Sequence, residues 1–343
     1  MAQPSKREHE SRTVVITGAS AGVGRATVRE FAKPGAKLAL IARGRAGLEA
    51  AAAEARASGA EALPISCDVA DAEAVEQAAS TAESVLGEID VWVNVAMTAV
   101  LAQVTETSAA EFKRVMEVTY LGSVHGWQAA LRRMVPRDRG KIIQVGSALG
   151  YRGIPLQATY CAAKHAVQGF YESTRAELLH NGSQVSVTIV QLPGLNTPQF
   201  SWVRARTTGT PQPVPPIYTP EVAARTIAWA ADHERREIWV GRPTIKTIIG
   251  QRLVPGFLDH YLAHNGFKSQ QSDTPLPSHR PDNLFNPVDD ERDYGADGMY
   301  EGKAHRHSFQ TALAEHRGIL LGAGLATASA ASAVALSIAR DGD

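Results

Sequence analysis

From residue 13 the chain alternates short apolar runs rich in β-branched residues with longer stretches whose apolar positions recur every three or four residues. The runs TVVIT (13–17), KLALIAR (37–43), ALPISCDV (62–69), IDVWVNVA (89–96), KIIQVGS (141–147), QVSVTIVQLPG (184–194) and EIWVG (237–241) read as strands. Between them lie helical stretches, among them GLEAAAAEARASG (47–59), DAEAVEQAASTAESVLG (71–87), a long region from 105 to 135 broken at Gly122 and Gly126, and PEVAARTIAWAADHERR (220–236). The fourth run is almost wholly apolar, as a strand covered on both faces of a parallel sheet must be. Strand and helix in strict alternation predict an α/β fold, a right-handed, doubly wound parallel sheet in a single domain over residues 13–243.

The pattern changes on either side of that domain. Residues 1–12 are polar and charged without an apolar run, and predict a disordered lead-in, not a secretory signal. Residues 244–267 carry apolar residues at helical spacing interrupted at Pro255 and Gly256, which predicts two short accessory helices that either dock on the core or rest on a membrane surface. Residues 268–316 are polar and charged with few core formers, and predict a flexible linker. The stretch 317–340 has no charge between Arg317 and Arg340 and is long enough to cross a bilayer, although it leans on alanine, glycine and serine. It reads either as a membrane anchor through 318–339 or as a soluble alanine-rich tail.

Composition narrows the function. A hydrophobic content of 44% over 343 residues is enough for one large core or two modest ones. Lysine plus arginine equals aspartate plus glutamate at 35 each, so no overall field draws the chain to nucleic acid. The two cysteines, Cys67 and Cys161, form neither a CxxC pair nor a metal-ligand cluster, and no metal site is expected. That usage fits a reducing compartment, hence a cytoplasmic protein, either free or membrane-associated through the C-terminal tail.

The candidate chemistry falls at the ends of the strands. TGASAGVG (17–24) follows the first strand and opens a helix, so that Gly18, Gly22 and Gly24 admit a diphosphate to the helix N-terminus. After the second strand stands Arg43 and no carboxylate, which favours a 2′-phosphate and therefore NADP over NAD; the alternative is an arginine facing solvent. Arg25 either assists there or faces water. Asp68 either accepts from an adenine amino group, with Val69 packed on the ring, or caps the next helix. Asn94 is a buried polar group that needs partners. Ser147 ends the fifth strand, where a hydroxyl can hold a substrate oxygen. Tyr160 and Lys164 lie four apart on one helix face, and a fixed ammonium beside a phenol favours phenolate and suits it to acid/base work. The proline-rich stretch 195–222, with Phe200, Trp202, Val203 and Tyr218, is either a cover over an apolar substrate or a surface connection.

Taken together, TGASAGVG, CDV (67–69), Asn-x-Ala (94–96), Ser147, YCAAK (160–164) and PGLNTP (193–198) resemble the short-chain dehydrogenase/reductase family from about residue 12 to 243. The resemblance implies a Rossmann-like fold and hydride transfer between NADP(H) and a hydroxyl or carbonyl group of a small-molecule substrate. It implies cofactor contacts at Thr17, Gly18, Ser20, Ala21, Gly22, Val23, Gly24, Arg43, Asp68, Val69 and Asn94. Tyr160 is then the proton donor or acceptor, Ser147 holds the substrate oxygen, and Lys164 binds the nicotinamide ribose while lowering the tyrosine pKa. Pro193, Gly194 and Thr197 lie near the carboxamide. Two positions depart from the family: Met97 stands in place of a glycine, and Thr119 in place of the asparagine that organises a proton relay through its main chain. A homodimer or homotetramer is implied as well. The competing expectation is a non-catalytic NADP-binding module that presents a cofactor-responsive surface to a partner.

Overall fold

A computed structural model describes residues 12–315 of the chain. The N-terminal residues to 11 and the apolar stretch 317–340 lie outside the described residues. Seven strands form one sheet: β1 Thr13–Thr17, β2 Lys37–Ala42, β3 Glu61–Ser66, β4 Ile89–Asn94, β5 Lys141–Ser147, β6 Ser186–Leu192 and β7 Glu237–Trp239. Their order is β7-β6-β5-β4-β1-β2-β3, every neighbouring pair parallel. The connections reverse direction between β1 and β4, which opens a crevice beyond the carboxyl ends of those strands. Pro64 is accommodated because β3 is an edge strand.

Helices cover both faces. On one side α1 Gly22–Phe31, α2 Arg45–Ala57 and α7 Pro220–Asp232 pack on Val14, Ile16, Leu40 and Val93; on the other, α3 Ala72–Leu86, α5 Gly122–Met134 and α6 Ala158–His180 pack on Val15, Ile41, Trp92 and Ile142. The caps follow the sequence: Asp71 accepts from the Glu73 and Ala74 amides, and Ser108 and Glu111 form a capping box on α4 Ala109–Val115. Asp68 is therefore not the cap of α3.

The two glycines of the 105–135 region do not break it. Helix α4 runs through a π-helical turn, Met116–Leu121, into α5. Gly122 and Gly126 are where the helix touches the sheet layer: a Cβ on Gly126 would lie 2.3 Å from the Asn94 side-chain oxygen, and one on Gly122 would lie 2.6 Å from Val69.

Beyond β7 come α8 Gly241–Leu253 and α9 Pro255–Ser269, jointed at Val254. Helix α8 buries Thr244 and Ile248, whereas α9 buries only Gly266 and exposes Phe257 and Tyr261. Segment 268–315, expected from its polarity to be a flexible linker, is instead laid across the carboxyl ends of the strands. Residues Gln271–Pro275 pair antiparallel with Gly209–Pro211, and Ala304–His305 pair in parallel with Ile217–Tyr218. A short helix, α10 Phe309–Glu315, follows. The segment has little core of its own beyond Leu284 and Ala296; its backbone groups are satisfied by residues far upstream in the chain, from Trp202, Thr208 and Thr219 back to Ala46, Arg43 and Gly22. Among the described residues no helix is long and apolar enough to cross a membrane.

Candidate active site

The strand ends converge on a cleft of about 940 Å³. Gly18 follows β1, Arg43 follows β2, Asp68 and Val69 follow β3, Val95 to Met97 follow β4, Ser147 ends β5, and Pro193 follows β6. Ser20, Ala21, Gly22, Val23 and Gly24 from the first turn line the same cleft, as do Tyr160 and Lys164 on α6 and Gly194 and Thr197 after β6. Three predicted positions stand behind the wall. The Thr17 hydroxyl accepts from the Val95 and Ala96 amides and fixes the end of β4. Asn94 accepts from the Trp92 indole at 2.9 Å, while its side-chain nitrogen has no partner among the described residues. Thr119 is fully buried, its hydroxyl donating to the Thr98 carbonyl at 2.9 Å and accepting from the Thr98 amide at 3.0 Å. Its own carbonyl accepts from Ser123 at 3.0 Å.

The first turn is shaped for close approach. Gly18 has φ +68° and Gly22 φ +57°, conformations that L side chains rarely adopt. A Cβ on Gly24 would lie 1.9 Å from the Gly18 carbonyl, so glycine there lets helix α1 start directly against the strand. Arg25 does not face water. It is 1% exposed and binds the Ser20 and Gly47 carbonyls, Glu54 at 3.0 Å and Asp293 at 3.3 Å, which ties the turn to α2 and to the C-terminal extension.

Arg43 is likewise not a solvated arginine. Its guanidinium donates to the carbonyls of Asn283 at 2.5 Å and Phe285 at 3.0 Å. Burial lowers its pKa and the nearby carboxylates of Asp68 and Asp289 act the other way; a guanidinium stays protonated in either case, so a positive charge stands at the end of β2. Asp68 pairs with Arg114 and accepts from the Ala70 amide at 3.0 Å.

At the centre, the Ser147 hydroxyl and the Tyr160 phenol line the cleft together, and the Ser147 oxygen accepts from the Leu149 amide at 3.1 Å. The Lys164 ammonium donates to the Val145 carbonyl at 2.8 Å and lies 5.7 Å from the centroid of the Tyr160 ring. Burial raises the phenol above the ordinary tyrosine value, while the neighbouring Ser147 hydroxyl acts to lower it. Burial lowers Lys164 to about 8. The ammonium is directed at a main-chain carbonyl, and burial is the largest influence on the phenol. Met97 is half-buried in the wall beside Tyr160, packed with it on Ala99, Leu101 and Val203. Val203 belongs to that packing and not to the cleft, whereas Phe200, Trp202 and Tyr218 do line it.

The residues present fit a dinucleotide: a glycine turn at a helix N-terminus, an oriented guanidinium one strand away, and a hydroxyl, phenol and ammonium beyond them. The short chain dehydrogenase family model matches residues 12–207. The chain belongs to the short chain dehydrogenase family. As a member it is an NAD(P)-dependent oxidoreductase. It is 32% identical over 268 residues to the uncharacterized oxidoreductase YxnA of Bacillus subtilis (strain 168), covering 78% of this chain and 75% of the relative. It is 30% identical over 271 residues to dehydrogenase/reductase SDR family member 7B of Bos taurus, covering 76% and 82%. A metagenomic short-chain oxidoreductase solved in complex with NADP superposes with a TM-score of 0.57 at 27% identity, over 67% of this chain and 96% of that one.

Sequence patterns missed the contribution of the extension. Asn283, Pro287, Val288 and Asp289 line the end of the cleft near Arg43, and His305, His307 and Phe309 line the other end. No local periodicity marks them. The one trace is the acidic run DDERD (289–293), complementary to the cations Arg25 and Arg43.

Proposed function

We propose that this short-chain dehydrogenase transfers hydride between NADP(H) and an apolar alcohol or carbonyl substrate, with Tyr160 as the general acid and base. The observation that carries the reading is the convergence of the Ser147 hydroxyl, the Tyr160 phenol and the Lys164 ammonium, the last 5.7 Å from the phenol ring, at the strand ends of a cleft that begins in a glycine turn. The glycine turn would hold the diphosphate, Arg43 a 2′-phosphate, Asp68 and Val69 the adenine, and Lys164 the nicotinamide ribose. Pro193, Gly194 and Thr197 would border the carboxamide. When bound, the nicotinamide supplies or accepts the hydride.

The chain's own residues handle the proton. In the reductive direction the Tyr160 hydroxyl gives its proton to the substrate oxygen as charge develops there. Ser147, which lines the cleft beside that phenol, donates to the same oxygen and fixes its position. The phenolate left behind is stabilised by the Lys164 cation, which is still mostly charged at neutral pH because its pKa of about 8 lies above it. The Thr119 hydroxyl is spent on Thr98, so its side chain does not enter these steps. Phe200, Trp202, Val214, Tyr218, Leu258 and Leu262 give the substrate end an apolar lining, which favours lipophilic substrates.

The test is NADPH oxidation by the full chain over a panel of lipophilic ketones and their polar counterparts. Turnover that favours the lipophilic members is expected. Tight NADPH binding with no turnover on any member would contradict the catalytic reading and leave a nucleotide-binding module.

A further inference from the structure

The residues after β2 determine how a dinucleotide's adenosine ribose is read: a carboxylate there accepts from the ribose hydroxyls, an arginine accommodates a 2′-phosphate. In the local sequence this chain has Arg43 followed by Gly44, and no acid. The fold places one there nonetheless. The carboxylate of Asp289 lies in the space that a side chain at position 44 would fill, since a Cβ on Gly44 would stand 1.8 Å from one of its oxygens and a Cβ on Gly47 would stand 2.8 Å from the other. We propose that Asp289, delivered by the C-terminal extension, is the ribose-reading carboxylate of this enzyme and the counterweight to Arg43 in choosing between NAD and NADP. This inference rests on the cofactor reading above and extends it.

Several independent contacts hold the residue in place. The Gly47 amide donates to the Asp289 carbonyl at 3.0 Å, the Ala46 amide to the Asp290 carbonyl at 3.2 Å, and the Arg45 amide to the Asp290 carboxylate at 3.0 Å. The N-terminus of α2 is thus capped by a segment 245 residues away, which leaves the Asp289 side chain at the positive end of that helix. On one side the strap is fixed by Arg43 and by Arg114 donating to the Leu284 carbonyl at 3.0 Å. On the other, Asp293 pairs with Arg25 and the Gly22 amide donates to the Gly295 carbonyl at 3.1 Å.

The carboxylate itself is the unexplained part. Asp289 is 7% exposed and lines the cleft; Arg43 attracts its carboxylate from nearby, but among the described residues no hydrogen bond or close ion pair reaches its side chain. A buried carboxylate with no donors is costly, so its retention calls for a partner that arrives with the ligand. Vicinal ribose hydroxyls supply two donors without adding charge. A 2′-phosphate would instead bring negative charge against it, attracted by Arg43 and repelled by Asp289. Gly44, at the N-cap, and Gly47, inside the first turn, carry no side chain and so leave room for this carboxylate.

The experiment measures equilibrium dissociation constants of NADH and NADPH for the full chain, Asp289→Asn and Asp293→Asn, by nicotinamide fluorescence. Asp289→Asn should weaken NADH roughly tenfold, as expected for lost charge-assisted hydrogen bonds, and leave NADPH unchanged or tighter, so that the NADH/NADPH ratio of constants rises at least about tenfold. Asp293→Asn loosens the strap at its Arg25 anchor and should move both constants by the same factor. An unchanged ratio in Asp289→Asn, or the same change of ratio in Asp293→Asn, would reduce Asp289 to a strap anchor and overturn the proposal. Wild-type protein that binds neither nucleotide would overturn the cofactor reading itself, a result distinct from both.

Discussion

Lys164 shows how one side chain's surroundings set a measurable property. Its ammonium is buried and donates to the Val145 carbonyl, and burial alone brings its pKa down to about 8. Below that value it is charged and can donate to ribose hydroxyls; above it the proton is lost. The dissociation constant of NADPH for wild-type protein should therefore be flat from about pH 6 to 7 and rise as pH climbs through about 8, and Lys164→Met should abolish that rise. A constant that does not change up to pH 9.5, roughly 1.5 units above that pKa, would remove Lys164 from cofactor binding. Which residues carry chemistry was legible where a motif fixes spacing, as in Tyr160 and Lys164 or the glycines of 18–24. It was not legible where the outcome depends on a neighbour. Thr119 and Asn94 look like site residues by position, yet the Thr119 hydroxyl and the Asn94 side-chain oxygen are taken up by Thr98 and Trp92 behind the cleft wall. Arg25 looks like a surface residue and is almost wholly buried, because two carboxylates and two carbonyls, from α1's own turn, α2 and the extension, close around it.

The elements of the sheet were readable because each strand is short, β-branched and followed by its helix, and the edge position of β3 reconciles Pro64 with a strand. The region 105–135 was harder. Its glycines suggested breaks, but they serve close packing of α5 on β4 and Val69, and the irregularity appears instead as the π-helical turn Met116–Leu121. Helix α4 also carries Glu111, which anchors the stretch over the cleft: its carboxylate is 2% exposed and receives Arg206 at 2.7 Å and Arg204 at 3.2 Å, and Arg204 reaches on to Asp282 of the extension. Burial pushes the Glu111 pKa up, but the hydrogen bonds from Arg206, Ser108 and Arg204 outweigh it and bring the value to about 2, below the ordinary 4.5. The folded protein thus binds this proton more weakly than the unfolded chain. The stabilisation is complete above about pH 4.5 and is lost as pH falls towards 2. In thermal unfolding, the gap between wild type and Glu111→Gln should be widest above pH 5 and close on acidification towards pH 2, a span of roughly three units set by that linkage. A gap of constant size across the range would show that the ion pairs do not determine the effect.

The extension changes the picture of the whole molecule. Its composition reads as a linker because it has few apolar residues, and folding by burial alone would leave it loose. What orders it is hydrogen bonding to Arg25, Arg43, Arg114 and the first turn of α2, all contributed by residues far upstream, which no local window of sequence contains. The result is a cleft whose far ends are built by residues 283–289 and 305–310 on a sheet formed by residues 13–239. Its middle, where Ser147, Tyr160 and Lys164 meet, is the part on which the functional account depends. The most direct measurement is steady-state turnover of Tyr160→Phe against wild type in the full chain, on the best ketone of the panel, with NADPH binding measured in parallel. The account predicts turnover reduced by at least about 10²-fold with the NADPH dissociation constant within about threefold of wild type, as expected when only a general acid is removed. Undiminished turnover in Tyr160→Phe would contradict it.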